Sequence, residues 1–285
     1  MRYLMIAVIV PIYNTEKYLR ETIDSVICQT LSFAEHIRLI LLDDASTDGS
    51  FAICEQYQKQ YPKQILVKHY DTNQGVSALR NEGVRIAGEM GDELITFLDS
   101  DDKLADDAME KAKMYFESHE DVSVAAIAVK YFGTRDGEQR LNWRFQEMDV
   151  VDIKKQYTFP HYYVGGVFLR KRVLNELHFD ETMNFWEDAL AINQVIVSEG
   201  KYGLIQDTFY FYRKREDESS LVDTAWHKKE RYTTLLSSGY GQLFAYSRKK
   251  HHRIIPYVQY MVAYHMRLMI CLLYTSPSPR DMRRS

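Results

Sequence analysis

Residues 94–102 read LITFLDSDD, an apolar, β-forming run that stops at once on three carboxylates in four residues, Asp99, Asp101 and Asp102. A short apolar run bounded by polar residues fits a buried strand. Like charges raise one another's energy, so folding alone gives no reason to gather three of them at a strand's end. The cluster implies that something positive is expected to arrive. Mg²⁺ or Mn²⁺ suits the position, because such an ion takes oxygens from one or two carboxylates and completes its shell with substrate phosphates and water. No Gly-rich phosphate loop of the Walker or dinucleotide type occurs in the sequence. A divalent cation is therefore the sensible anchor for an anionic substrate.

Outward from this stretch, strand-like runs occupy 5–10, 37–42, 65–69 and 94–98, with helical periodicities at 16–30, 50–61 and 76–88 between them. Strands alternating with helices imply an α/β fold, with a Rossmann-like, mostly parallel central sheet flanked by helices. In such a sheet ligands sit outside the carboxyl ends of the strands. The segments that follow the four runs, PIYN at 11–14, DDASTDGS at 43–50, DTNQG at 71–75 and DSDD at 99–102, then share one polar, acidic rim. A second half follows, with Val122–Lys130, GGVFLRKRVL at 165–174, FDETMNFWEDALAINQVI at 179–196 and FYFYRKR at 209–215. The sheet is expected to finish there, giving a domain over 1–215 and a helical appendage over 216–270. Within that appendage Ile254, Val258, Met261, His265 and Leu268 fall on one helical face. The tail, 271–285, is similar to one reading frame of a common sequencing-library transposon end. It is expected to be non-native, with the natural sequence continuing past Ile270.

Composition narrows the function classes. The chain has 285 residues, 46% of them hydrophobic, enough for a full core, and its formal charge is −4, which argues against a nucleic-acid binder with a basic face. Cys28, Cys54 and Cys271 form no CxxC spacing, so neither a disulfide framework nor a zinc knuckle is indicated and a reducing, cytoplasmic setting is the default. The apolar N-terminal run ends at Pro11 without a small-residue cleavage site and reads as a strand, not a signal peptide.

Rival readings exist for the acidic residues. Asp102 or Asp106 could cap the helix that begins near AMEKAKMYF. DxD after a strand is also found in haloacid-dehalogenase phosphatases, but Lys103 stands where that family has Thr or Val. DASTDGSFAICE, 44–55, satisfies the spacing of an EF-hand calcium loop, although the apolar IRLILL precedes it where a helix is needed.

Taken in order, VIVPIYNTEKYL, LLDDASTDGS, NQGVSALRNEG, FLDSDD, FDETMNFWED and YRKRED resemble the family-2 glycosyltransferases of GT-A fold over about residues 5–215. The resemblance implies a nucleotide-diphosphate sugar donor, most simply a UDP-sugar, a divalent cation, and transfer with inversion to a hydroxyl of a glycan or lipid-linked acceptor. It implies a bacterial surface-polysaccharide enzyme, cytoplasmic or peripherally associated with the inner face of the membrane. Carried over by position, Pro11, Tyr13 and Asn14 border base and ribose, Asp44 accepts from the base, and Arg80 faces the nucleotide or diphosphate. Asp99, Ser100 and Asp101 form the DXD element, with Asp99 and Asp101 on the metal, and Asp188 matches the catalytic base. Trp186, Glu187 and Arg213 are implied to face acceptor or diphosphate. Each has a plainer alternative: a helix-entry staple for Tyr13, a surface charge for Arg80, a core aromatic for Trp186, a helix-start acid for Asp188 and a solvated run for Arg213–Arg215.

Overall fold

The computed structural model describes residues 4–215 and 233–275. Strand β1 (Ile6–Ile12) is buried at every position, as its uninterrupted apolar sequence requires of a strand covered on both faces. It pairs in parallel with β2 (Ile37–Asp43) on one side and β4 (Leu94–Phe97) on the other, and β3 (Ile65–His69) extends the sheet beyond β2. Between these strands run α1 (Glu16–Ile27), the short α2 (Phe33–His36), α3 (Ser50–Gln60) and α4 (Val76–Met90). The expected strand–helix alternation is present. Helix α4 lies close on β1: a Cβ on Gly83 would stand 2.3 Å from Ile9 Cγ2, so only glycine permits this approach. The helix ends on Gly91 at φ 82°, a left-handed cap that glycine adopts without cost.

The second half departs from a parallel pattern. After the two-residue β5 (Lys103–Leu104) and α5 (Ala108–Ser118) come β6 (Val124–Gly133), β7 (Gly137–Glu138), β8 (Val150–Asp152) and β9 (Val167–Arg170). Strand β9 inserts antiparallel between β4 and β6, and β10 (Lys201–Lys214) runs parallel to β6. The main order is β3-β2-β1-β4-β9-β6-β10-β5. Because β5 pairs antiparallel with Tyr210 and Phe211, the end of β10 is carried over the loop 99–102. That crossing sets up the site.

Apolar side chains collect in two clusters, one on each face of the sheet. Helix α6 (Glu187–Glu199) belongs to the first, and α7 (Gly241–His251) and α8 (Pro256–Thr275) join it through Leu243, Tyr257, Val258 and Met261, all fully buried. Of the expected α8 face, Val258, Met261 and His265 are buried, and His265 Nδ1 lies 2.6 Å from the Tyr240 hydroxyl. The first part of the expected helical appendage, 216–232, lies outside the described residues. Among the described residues no helix is long and apolar enough to cross a membrane.

Candidate active site

Strand β4 ends at Phe97, and Leu98 makes a last backbone bond to Ile9, so the chain leaves the sheet just where the acidic run begins. Three aspartates then take three different environments. Asp99 is the most open, its side chain 38% exposed. Asp102 is 1% exposed and accepts the Tyr210 hydroxyl and the Arg213 backbone N–H, both at 2.7 Å. It therefore fastens the end of β10 to the loop; it does not cap α5, whose preceding residue is Asp107. Burial, then the charges of Asp101 and Asp99, hold the Asp102 carboxyl well above the usual range. Asp101 is raised too, by burial first, although Arg215 Nε and Nη2 both sit 2.8 Å from its Oδ2.

The donor set suits a hard divalent cation: Asp99 and Asp101 are oxygen donors two residues apart, and their cluster raises the cost of every carboxylate in it until positive charge is supplied. Among the described residues no group of three or more His, Cys, Asp or Glu could hold a metal. The protein would thus contribute a minority of the ligands and a phosphate-bearing substrate the rest.

Arg80, on α4, joins this loop to the start of α6. It is 5% exposed, and donates Nη2 to Asp99 Oδ1 at 3.0 Å and Nη1 to Glu187 Oε1 at 3.2 Å. Its neighbour Asn81 clips the chain just before α6, donating to the Phe179 carbonyl at 2.8 Å and accepting the Phe179 N–H at 2.9 Å. Trp186, the residue before α6, has φ 68°, which turns the chain sharply so that Glu187 and Asp188 open the helix beside Arg80. Burial pushes the Asp188 carboxyl up to about 7, helped by the charge on Glu187 and opposed by Arg80. Its Oδ1 accepts the N–H of Ala189 at 2.6 Å.

The other side of the rim is built from β1 and β2. Pro11 is buried in β1, Tyr13 is 51% exposed at the rim, and Asn14, at φ 52°, receives the Thr47 N–H on its side-chain oxygen at 2.8 Å. Asp44 spends both oxygens on the NQG turn, accepting from the N–H of Gln74 at 2.6 Å and of Gly75 at 2.9 Å. Its carboxylate shapes the turn into α4. Asp43, fully buried, holds His69 Nδ1 at 2.7 Å. Ser100 is buried, with its carbonyl accepting the Thr22 hydroxyl at 3.0 Å.

Several expectations take a different form. Trp186 lies in the core at 4% exposure, its ring 5.1 Å from Tyr240 at 85°, which is the plainer of its two readings. Arg213 is engaged with the protein, donating Nε to the Asp101 carbonyl at 2.6 Å and pairing with Glu21. The calcium-loop spacing at 44–55 does not correspond to a calcium loop. Asp44 serves the NQG turn, Asp48 accepts the N–H of Ser50 and of Glu16 at 2.9 and 3.0 Å, and α3 begins inside the segment and leaves Glu55 exposed. Sequence reading passed over Tyr210 and Asn81. Tyr210 bonds to residues 108 and 111 positions away, a pairing no local pattern encodes. Asn81 had a signal, its place beside Arg80 in ALRN.

The comparisons bear on this arrangement as follows. The chain is 41% identical over 283 residues to the minor teichoic acid biosynthesis protein GgaA of Bacillus subtilis (strain 168), covering 99% of this chain and 62% of that protein. It thus spans under two thirds of that relative's length. Among solved structures it resembles Staphylococcus aureus TarS 1–349 in complex with UDP-GlcNAc, with a TM-score of 0.74 at 22% identity over 92% of this chain and 72% of that one. It also resembles the mannosyltransferase PcManGT of Pyrobaculum calidifontis in complex with GDP-Man and Mn²⁺, with a TM-score of 0.60 at 17% identity over 95% of this chain and 78% of that one. These likenesses show the GT-A fold. The family model for glycosyl transferase family 2 matches residues 7–178, more than half of the sequence, and the chain belongs to that family.

Proposed function

We propose that the protein transfers a sugar, with inversion, from a nucleotide-diphosphate donor to a hydroxyl of a glycan or lipid-linked acceptor in building a bacterial surface polymer. Teichoic-acid synthesis is the setting suggested by the name of the 41%-identical relative. A UDP-sugar is the donor favoured by the TarS likeness. The carrying observation is the convergence of Asp99, Arg80, Glu187 and Asp188, with Asp188 held near neutrality. A general base is most effective when its pKa lies near the working pH.

In this reading Asp99 and Asp101 would hold Mn²⁺ or Mg²⁺, which would supply positive charge to the departing diphosphate. Asp188 takes the proton of the acceptor hydroxyl as its oxygen bonds to the anomeric carbon, and the bond from that carbon to the diphosphate oxygen breaks. Arg80 fixes Asp99 and Glu187 in one arrangement and keeps Asp188 from rising further. Tyr13 and Asn14 border the nucleoside, with Pro11 and Asp44 shaping the wall behind them. The chemistry falls within 1–215, with α7 and α8 bracing α6 from behind. The proposed setting is the cytoplasm, with peripheral contact to the inner face of the membrane where the acceptor is lipid-linked.

The test is a screen of sugar nucleotides for thermal stabilisation in the presence of Mn²⁺, followed by transfer assays with those that bind. UDP-sugars should raise the melting temperature with Mn²⁺ and do so less in EDTA. A protein whose melting responds to no sugar nucleotide under either condition is not acting on this donor class. A second expectation concerns pH. Since Asp188 must be ionised to act, kcat/KM should rise roughly tenfold per pH unit below about 7 and level off above it. A profile flat through that range removes Asp188 as the base.

A further inference from the structure

The last ladder pair between β10 and β6 joins Lys214 to Gly133, so Arg215 stands one residue past the sheet. Its guanidinium nevertheless turns back over the acidic loop, with Nε and Nη2 on Asp101 Oδ2 and the carbon 5.2 Å from the Tyr18 ring centroid. Arg213, two residues earlier, is engaged in another way. It holds loop backbone through the Asp101 carbonyl, its own N–H is held by Asp102, and its head group pairs with Glu21. Arg213 is part of the frame. Arg215 grips a carboxylate that the proposed function assigns to the cation.

We propose that Arg215 is a resident counter-ion that exchanges with the divalent cation. It neutralises Asp101 while no donor is bound, gives up Asp101 Oδ2 when donor and metal enter, and turns its fork to the diphosphate oxygens. This rests on the metal-dependent donor reading above. Asp101 is 18% exposed and flanked by Asp99 and Asp102, so without a partner its charge would be both poorly hydrated and repelled. A dication placed on Asp101 repels the guanidinium at contact distance, which favours release of Arg215 as the metal binds. Arg215 lies one residue beyond the ladder, so its side chain is not fixed by strand pairing. The planar fork that fits a carboxylate also fits phosphate. Metal alone then has to displace an ion pair, whereas metal with donor gives the displaced guanidinium a new partner. The two should bind with positive coupling.

The experiment titrates Mn²⁺ into the 285-residue chain, following free Mn²⁺ by electron paramagnetic resonance, with and without UDP. Arg215→Gln should bind Mn²⁺ alone about tenfold more tightly than the unsubstituted protein and lose the part of the coupling to UDP that comes from the displaced guanidinium. Arg215→Lys should keep part of it. A second measurement needs no change of fold. In the unsubstituted protein labelled with ¹⁵N-arginine, the Arg215 Nε–H resonance, assigned by its loss in Arg215→Lys, should move when Mg²⁺ and UDP are added together. Equal Mn²⁺ affinity in Arg215→Gln and the unsubstituted protein, with that resonance unmoved, overturns the exchange and leaves the metal reading standing. Absence of Mn²⁺ binding in every protein, with or without UDP, overturns the metal reading and the exchange with it.

Discussion

Asp188→Asn is expected to lower transfer by roughly 10² to 10⁴, the usual range for a lost general base, while donor affinity stays close to that of the unsubstituted protein. The asparagine is nearly isosteric and its side-chain oxygen can still accept the Ala189 N–H that Asp188 accepts at 2.6 Å. What it cannot do is receive the acceptor's proton. The proposed base acts on the acceptor, so the effect should fall on kcat and spare donor binding. Stability supplies an independent check on the fold. The folded protein holds the Asp188 proton up to about 7, against an ordinary aspartate value of 3.8, so between those limits the folded state binds more protons than the unfolded chain. Stability must then fall as pH rises from about 4 to about 7, and the cost persists above that window. Asp188→Asn lacks this ionisation and should melt higher than the unsubstituted protein at pH 8. Full transfer by Asp188→Asn would reduce the residue to a helix-start acid. Attention would then pass to Asp180, Glu181 and Glu187, each of which accepts a hydrogen bond from the protein.

The parts of this fold readable from sequence are those where a strand's burial and its loop's chemistry are local. Strands β1, β2 and β4 announce themselves as apolar runs with both faces covered, β3 at the sheet's edge as a shorter apolar run, and the rim residues follow each run within a few positions. Asp99, Asp101 and Asp188 could be placed at a common edge on that basis together with the family resemblance. The second half was less legible. Strand β9 inserts antiparallel between β4 and β6, and nothing in VFLR fixes its direction; the choice is made by the ladder partners on either side. For the same reason the acidic loop looked like a bare cluster awaiting charge, when Arg215, 114 residues away, already meets Asp101. Asp44 illustrates a different limit. The sequence marks it as a rim carboxylate, but whether it faces a ligand or the backbone depends on the NQG turn, whose amides converge on it. Trp186 could be core or ligand platform until Tyr240, the residue before α7, was known to lie against its ring.

Arg80→Met should show how far the site depends on one guanidinium. The residue is 5% exposed and spans Asp99 and Glu187, so removing it leaves two carboxylates facing each other without a counter-charge. Breaking a buried pair by deleting one partner costs about 3–5 kcal/mol. Asp99, with a side chain 38% exposed, can recover hydration, so the lower end, about 3 kcal/mol, is expected here. At about 2–4 °C per kcal/mol for a domain of this size, the melting temperature should fall by about 10 °C near pH 7. The sign of the pH dependence follows from the loss. Without Arg80 the Asp188 carboxyl loses the neighbouring positive charge that opposes its rise, so ionising it costs the folded state more at neutral pH, a penalty relieved as acid protonates it. The gap to the unsubstituted protein should therefore narrow toward pH 5. Catalysis should move as well, because Arg80 is the charge that restrains Asp188; in its absence the limb of the pH–rate profile should shift to the alkaline side of about 7. Melting curves at the two pH values and a pH–rate profile decide the matter together. Unchanged melting would mean that the pairs Arg80 makes with Asp99 and Glu187 add no net stability. Lowered melting with an unmoved limb would leave it a structural brace that does not tune Asp188.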